Sequence, residues 1–322
     1  MKKLFSIPSI RRKRYDLKVA KLVMAAAADP YRPLVAHFLI TKRCNLSCGY
    51  CFEYDNVSPP IPLDTLKARI DEFKRLKVVF VTLNGGEPLM HPNIVELVRY
   101  IYDAGMVPMM NSNGFLLKPA LIQQLNDAGL YAIQISCDGM KKNKVSRKTM
   151  DILRPKLDLL AELAEFKVRI NTVLGACPPQ EAIAVTQIVL DLGFDAQCSL
   201  LRDANGAAIP LNKENQDAYF AIRKMRGRLP AILNDGFQLP LVNGEENDWK
   251  CRSGARYFHI DEHGLVHLCQ PRSGFPAKHI SDYNKETIKA CFHMYKSCSK
   301  RCAHAYAHIG SRLDTFRHQE DF

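Results

Sequence analysis

Residues 44–51 read CNLSCGYC, three cysteines within eight residues, separated by three residues and then by two. They follow an apolar run, LVAHFLI (34–40), and the tripeptide TKR (41–43). A structural zinc site or a simple iron–sulfur cluster takes four protein ligands, whereas catalytic metal centres commonly leave one position open. Three thiols on one loop, with no fourth thiol or histidine beside them, therefore point to a metal cluster with an open site. A structural zinc loop completed by a distant cysteine is the alternative, although such sites more often use paired CxxC arms.

Outward from this loop, the chain alternates short apolar runs with amphipathic ones. LVAHFLI (34–40), VVFVTLN (78–84), VPMMNSN (107–113), YAIQISC (131–137), KVRINTVL (167–174) and FDAQCSLL (194–201) read as strands. LDTLKARIDEFKRL (63–76), PNIVELVRYIYDAG (92–105), ALIQQLNDAG (120–129), MDILRPKLDLLAELAEF (150–166) and EAIAVTQIVLDLG (181–193) carry helical spacing between them. Near-continuously apolar strands alternating with helices predict a parallel sheet covered by helices. Six units are too few for a closed eight-unit barrel, so the expectation is α/β, a partial (β/α)6 TIM-like barrel. In such sheets functional groups gather at the carboxyl ends of the strands. Cys44–Cys51, Asn84-Gly85-Gly86-Glu87-Pro88, Asn111-Ser112-Asn113-Gly114, Ser136-Cys137-Asp138-Gly139, Arg169 and Asn171 all fall there.

Composition limits the alternatives. At 322 residues, with 47% hydrophobic and 24% charged residues and mean hydropathy of −0.17, this is a globular chain with no stretch resembling a membrane span. The N-terminus, MKKLFSIPSIRRKR, has a short apolar centre broken by Pro8 and runs into Arg11–Arg14, which does not suit a secretory signal. The reading is cytoplasmic, where eleven cysteines serve metal ligation or catalysis more than disulfides. The net charge of +12 is scattered and no nucleic-acid-binding motif accompanies it, so no nucleic acid is expected.

Cys44-x3-Cys48-x2-Cys51 after the first strand of a partial barrel resembles the signature of the radical S-adenosylmethionine (radical SAM) superfamily, over about residues 34–205. The resemblance implies a [4Fe–4S] cluster on the three cysteines, with SAM on the fourth iron, and reductive cleavage of SAM to a 5′-deoxyadenosyl radical that abstracts hydrogen from substrate. Asn84–Pro88 matches the family's GGEP motif, which implies SAM contacts by Gly85, Gly86 and Glu87. By the same resemblance Tyr50 lies near the adenine, Ser136 and Asn113 resemble ribose or carboxylate contacts, and Arg169 or Asn171 meets the SAM carboxylate. Asn113 and Asn171 equally suit strand-end turns. One departure is that many relatives carry a His-Asp pair after Asp138-Gly139, where this chain reads MKKNKVSRKTM.

Composition shifts after about residue 205 to an irregular region with few regular segments. RYFHI (256–260) and LVHLC (265–269), joined by DEHG, predict a β-hairpin. Cys251-x12-Gly264-x4-Cys269 resembles the opening of a SPASM or Twitch extension. The shorter Twitch form fits the cysteine count, and the resemblance implies a second [4Fe–4S] cluster on Cys251, Cys269, Cys298 and Cys302, with Cys291 as alternate. Zinc suits the same four thiols. Cys137, Cys177 and Cys198 read as buried apolar residues, and His293, His304, His308 and His318 as surface or tail histidines. The expected organisation is a basic helical extension (1–33), the barrel (34–205) and an auxiliary domain with tail (206–322).

The resemblance implies a radical SAM oxidoreductase or related radical-transfer enzyme served by a flavodoxin- or ferredoxin-type reductant. Only 33 residues precede the first strand, fewer than a peptide-recognition domain needs, which favours oxidation or rearrangement of a small metabolite. Maturation of a ribosomally made peptide, by crosslink, thioether or epimerisation, is the alternative. Lipid or isoprenoid modification is a third, because SIRRKRYDLKVAKLVMAAAAD (9–29) joins a basic run to an apolar segment suited to peripheral membrane contact. Packing of that segment on the barrel is its plainer reading.

Overall fold

Alternation along each strand sets the architecture. In β1 (Val35–Thr41), Ala36, Phe38 and Ile40 turn toward the helices and pack with Leu66, Ile70 and Phe73 of α2 (Leu63–Arg75), while His37 turns inward. β2 (Phe80–Gly85) and β4 (Ala132–Ser136) repeat the pattern, with Val81, Leu83, Ile133 and Ile135 outward and Asn84 and Gln134 inward. The computed structural model describes residues 10–51, 54–226 and 236–315. Residues 1–9 of the basic segment and His318 lie outside them.

β1, β2, β3 (Val107–Ser112), β4, β5 (Lys167–Leu174) and β6 (Asp195–Leu200) are all parallel. The connecting helices are α2, α3 (Ile94–Asp103), α4 (Pro119–Ala128), α5 (Met150–Leu163) and α6 (Pro179–Asp191). The sheet order β6-β5-β4-β3-β2-β1 never closes, so the barrel is open. The six-unit reading of the sequence is thus met, with each element within a few residues of its expected place.

The expected hairpin is present as β7 (Tyr257–Ile260) and β8 (Leu265–His267), followed by β9 (Pro276–His279). It is not set apart from the barrel sheet. β7 pairs in parallel with β1, from Val35 opposite Tyr257 to Phe38 opposite Ile260, making one nine-stranded sheet. The Asp261 carboxylate pins the hairpin turn, accepting from the backbone N–H of His263 and of Leu265, both at 2.9 Å.

Helix α1 (Ile10–Ala28) lies across the N-terminal ends of the strands. Val19 and Ala26 are buried against Leu34, Val35, Val79, Val107 and Tyr131. The Tyr15 hydroxyl donates to Gly129 O at 3.0 Å, and Asp16 accepts from Tyr131 and Lys167, each at 2.9 Å. The segment weighed as a membrane-surface helix therefore spends these apolar residues on the barrel floor. Among the described residues no helix is long and apolar enough to cross a membrane.

One buried ion pair joins the ends of the chain to its middle. Arg256, fully buried, donates to both oxygens of Asp314 at 2.8 and 2.7 Å, and to the carbonyls of Ala26, Asp29 and Arg32 at 2.7–2.9 Å. Its own carbonyl accepts from Leu34 N and Val35 N. Removing one member of a buried pair strands the other without compensation. Asp314→Ala should cost about 3–5 kcal/mol in urea unfolding. Asp217→Ala, whose pair with Lys213 is exposed, should cost less than about 0.5 kcal/mol.

Burial also pushes His259 down to about 4, with the neighbouring His267 adding to the effect. Its imidazole is neutral in the fold, so its contribution to stability is complete above the unfolded value near 6.5 and is lost as pH falls toward 4. Unfolding measured from pH 7 to 4 should show that acid limb, and His259→Gln should flatten it by up to about 1.4 kcal/mol per pH unit.

Candidate functional site

The cysteine loop is held by the exit of the neighbouring strand. Gly86 N donates to Thr41 O and Glu87 N to Arg43 O, both at 2.8 Å. This approach leaves no room for a side chain. A Cβ on Gly85 would lie 2.1 Å from Thr41 O, and one on Gly86 would lie 2.4 Å from the carbonyl oxygens of Lys42 and Arg43. Gly85 also has φ of +151°, which favours glycine. Farther along, Asp55 N donates to Lys42 O at 2.8 Å, Gly49 N to Val145 O at 2.9 Å and Cys51 N to Cys48 O at 3.1 Å. Cys44, Cys48 and Cys51 all line one cavity at the carboxyl ends of the strands, together with Gly85 and Gly86.

Glu87 does not reach that wall. It is completely buried, and its carboxylate accepts from Ser112 Oγ at 2.7 Å, Asn113 N at 2.7 Å and Leu89 N at 3.0 Å. Burial raises its pKa, against these three donors. These three bonds bolt the end of β2 to the end of β3, next to the cysteine loop, where the charge of Glu87 acts on Cys44.

Arg169 stands just outside the cavity lining. It shares the inward face of β5 but lies two residues before Asn171, where Asp195 accepts from its Nε at 2.6 Å, and it does not line the cavity. Tyr50, Asn113, Ser136 and Asn171 do line it. The Tyr50 hydroxyl donates to Asp138 at 2.6 Å and accepts from Lys148 Nζ at 2.7 Å, and Ser146 Oγ donates to the same Asp138 oxygen at 2.7 Å. Burial works to lower the Lys148 pKa, but Tyr50, Asp138 and Cys48 overcome it and leave it raised. Lys148 comes from the MKKNKVSRKTM stretch, where the sequence offered no signal. It arrives because residues 139–149 fold back, with Asp138 N donating to Lys148 O at 2.7 Å.

The cavity, ≈ 280 Å³, has mainly amide walls. Each strand from β2 to β6 turns one carboxamide inward: Asn84, Asn111, Gln134, Asn171 and Gln197. Asn111 Nδ2 donates to Asn84 Oδ1 at 2.7 Å, and Ser199 Oγ to Asn171 Oδ1 at 2.6 Å. At the base stands a buried chain that the sequence did not foretell. His304 Nδ1 accepts from Ala307 N, so its proton sits on Nε2 and is donated to the Tyr257 hydroxyl at 3.1 Å. Tyr257 in turn donates to His37 Nδ1 at 3.2 Å. Burial keeps both imidazoles well below their ordinary pKa, in keeping with these neutral tautomers.

Cys251, Cys269, Cys298 and Cys302 share one neighbourhood beyond β7. Burial pushes the Cys269 thiol up to about 12, with Cys302, Cys251 and Cys298 adding to it. Burial likewise raises Cys302 to about 12, and Cys251 and Cys298 push the same way. Burial raises Cys251 as well, and thiols raised in this way beside Cys298 are a donor set that a cationic centre would stabilise. Cys291 stands with Tyr283, whose hydroxyl donates to its sulfur at 3.6 Å. Cys137, Cys177 and Cys198 are buried as expected, and so are His304 and His308, which the sequence reading left on the surface. His308 is stacked between Trp249 and Phe237 at centroid distances of 3.6 and 4.0 Å.

Residues 38–183 match the model of the Radical SAM superfamily. That segment belongs to the radical SAM superfamily. Its members are enzymes that use a [4Fe–4S] cluster with SAM. The chain is 29% identical over 174 residues to an AdoMet-dependent heme synthase of Methanosarcina barkeri, a stretch covering 50% of this chain and 48% of that one. It is also 29% identical over 278 residues to a PqqA peptide cyclase of Bradyrhizobium diazoefficiens, covering 80% of this chain and 70% of that one. Among solved structures, SuiB of Streptococcus suis bound to its precursor peptide SuiA superposes with a TM-score of 0.62 at 16% identity, over 85% of this chain and 68% of SuiB. The last likeness is one of fold.

The radical SAM loop fits its cluster: three thiols line one cavity, and no carboxylate faces it among the described residues. No three His, Cys, Asp or Glu among those residues converge as ligands of a single ion do. Thiolates that each bind a different iron of a cluster have no need to converge. The glycine clamp gives a direct test. Gly86→Ala must push the 42–43 backbone away, so hydrogen exchange across residues 42–51 should accelerate at least about tenfold while β4 and β5 keep their protection. Unchanged exchange would show that the loop holds itself.

Proposed function

We propose that this chain is a radical SAM enzyme that oxidatively modifies a peptide, with its reacting residue in the cavity between two sets of cysteines. The observation that carries the reading is that one cavity is lined both by Cys44, Cys48 and Cys51 and by Ala303 and His304, which directly follow Cys302. Cys44, Cys48 and Cys51 would hold one [4Fe–4S] cluster and Cys251, Cys269, Cys298 and Cys302 a second; when bound, the first supplies the electron that cleaves SAM to a 5′-deoxyadenosyl radical and the second accepts an electron from the substrate.

The chain's own residues bind and orient. Gly85 and Gly86 bring bare backbone to the cavity beside the loop, where a methionine amino group can approach. Tyr50, fixed by Asp138 and Lys148, offers a ring face to an adenine, and Asn113, Ser136 and Asn171 offer neutral hydrogen bonds to ribose and carboxylate. Glu87 holds the β2 and β3 ends in register beneath them. A volume of ≈ 280 Å³ is near the lower bound for a small-molecule pocket, so a peptide would place a residue or two inside and leave the rest at the mouth. The relatedness to a peptide cyclase over 80% of the chain supports this reading. The same small cavity favours a second one, oxidation of a small metabolite. A flavodoxin- or ferredoxin-type donor would supply the reducing electron. Residues 34–205 form the catalytic unit in this proposal and 206–322 the auxiliary one.

Anaerobic reconstitution tests it. Wild type should take up about eight iron and eight sulfide, and either the Cys44/Cys48/Cys51 triple alanine variant or the Cys251/Cys269/Cys298/Cys302 quadruple variant about four of each. Reduced wild type should release 5′-deoxyadenosine from SAM and the triple variant should not. Cleavage that survives in the triple variant rejects the assignment, and an iron count of about four in wild type removes the second cluster.

A further inference from the structure

We propose that Arg202 is the anchor for a carboxylate on the substrate, so that the substrate is an acidic peptide held by its acid group. The inference rests on the radical SAM reading of the cavity and adds to it the chemistry the cavity selects.

Among the described residues lining the cavity there is no aspartate or glutamate, and the only cationic side chains are Lys148 and Arg202. Lys148 is already engaged, donating to Tyr50 and lying 4.0 Å from Asp138. The Arg202 guanidinium makes no hydrogen bond or ion pair with any described residue, although it is half-buried in the wall. A guanidinium withdrawn from water without an anion is an unmet electrostatic demand, and its planar fork matches a carboxylate.

The backbone that carries it is fixed. Arg202 follows β6 and bridges to Ala208, while Ile209 N donates to Leu201 O at 2.9 Å and Asp203 N to Ala207 O at 3.0 Å. A cation preset in this way loses little freedom on binding. On the inward face of β6 lies Gln197, and on β4, two strands away in the sheet, Gln134. Neither carboxamide is bonded to a described residue, and each has both donor and acceptor to offer a peptide unit. A net charge of +12 further favours an acidic partner.

The carboxylate could belong to substrate or to SAM itself, and position favours substrate. Arg202 follows β6 and shares the cavity lining with Ala303 and His304, whereas the cysteine loop follows β1 at the other end of the row of six parallel strands.

The test compares acetyl-Ala-Glu-Ala-amide with acetyl-Ala-Gln-Ala-amide on the anaerobically reconstituted full chain, by ligand-observed NMR, with SAM affinity measured in parallel by equilibrium dialysis. Wild type should prefer the glutamyl peptide by at least tenfold. Arg202→Gln should abolish that preference, and Arg202→Lys should retain part of it. Thermal melts confirm that both variants are folded, and Arg202→Lys alone decides the matter if Arg202→Gln is not. Equal binding of the two peptides by wild type, or binding of neither, overturns the inference. A loss of SAM affinity of tenfold or more in Arg202→Gln also overturns it, by assigning the guanidinium to the methionine carboxylate. Failure of the underlying reading would register separately, as a wild type that does not cleave SAM.

Discussion

The whole arrangement hangs on the side chain of Arg256. One guanidinium gathers the carbonyls at the end of α1, the carboxylate of Asp314 near the end of the described chain, and, through its own carbonyl, the amides that begin β1. Those contacts fix β7 beside β1. Placing β7 there brings Tyr257 between His37 and His304, and His304 and Tyr306, shortly after Cys302, line the cavity. A neutral residue of the same shape could fill the volume, but it would take away the charged donor shared by three carbonyls and the Asp314 carboxylate.

Much of the barrel was legible because strand and helix periods differ and because β1 to β6 are separated by short, regular units. The parts that the sequence left open share a cause. Glu87 belongs to a motif whose residue types are plain in the sequence, yet whether its carboxylate faces the cavity or the protein depends on the turn after Gly86, which no local pattern encodes. Arg169 differs from Asn171 by one step along the same face, and only the position of Asp195 on the neighbouring strand decides that it is consumed by an ion pair. Lys148 and His304 enter the site from segments with no periodic signal. The addition of β7 to the barrel sheet joins residues more than 200 apart, a pairing that the hairpin signal could not reveal.

The site that results is unusual for what it lacks. A wall of seven carboxamides, several hydroxyls and two neutral histidines offers many hydrogen bonds and no negative charge among the described residues. Such a wall orients groups by hydrogen bonds without adding negative charge, so its preference among acids rests on where its two positive side chains stand. Lys148 is spent on holding Tyr50 in place. The distribution of charge thus separates a cysteine-loop end, already internally paired, from a β6 end still open to an acid.

The position of β1 in the sheet has a mechanical consequence. Flanked by β2 and β7, it lies inside the sheet, while β6 and β9 are its rims. Rims open at low free energy and interiors only when the domain does. The cysteine loop therefore issues from the stiffest part of the molecule, and Arg202 from a rim. A rigid end suits a reacting centre that must hold its geometry against small errors. Arg202 stands on the rim, but its bridge to Ala208 and the bonds on either side of it hold that stretch of the rim in place, so a change of guest at that end has to come through the side chains around the guanidinium and leaves the reacting centre untouched.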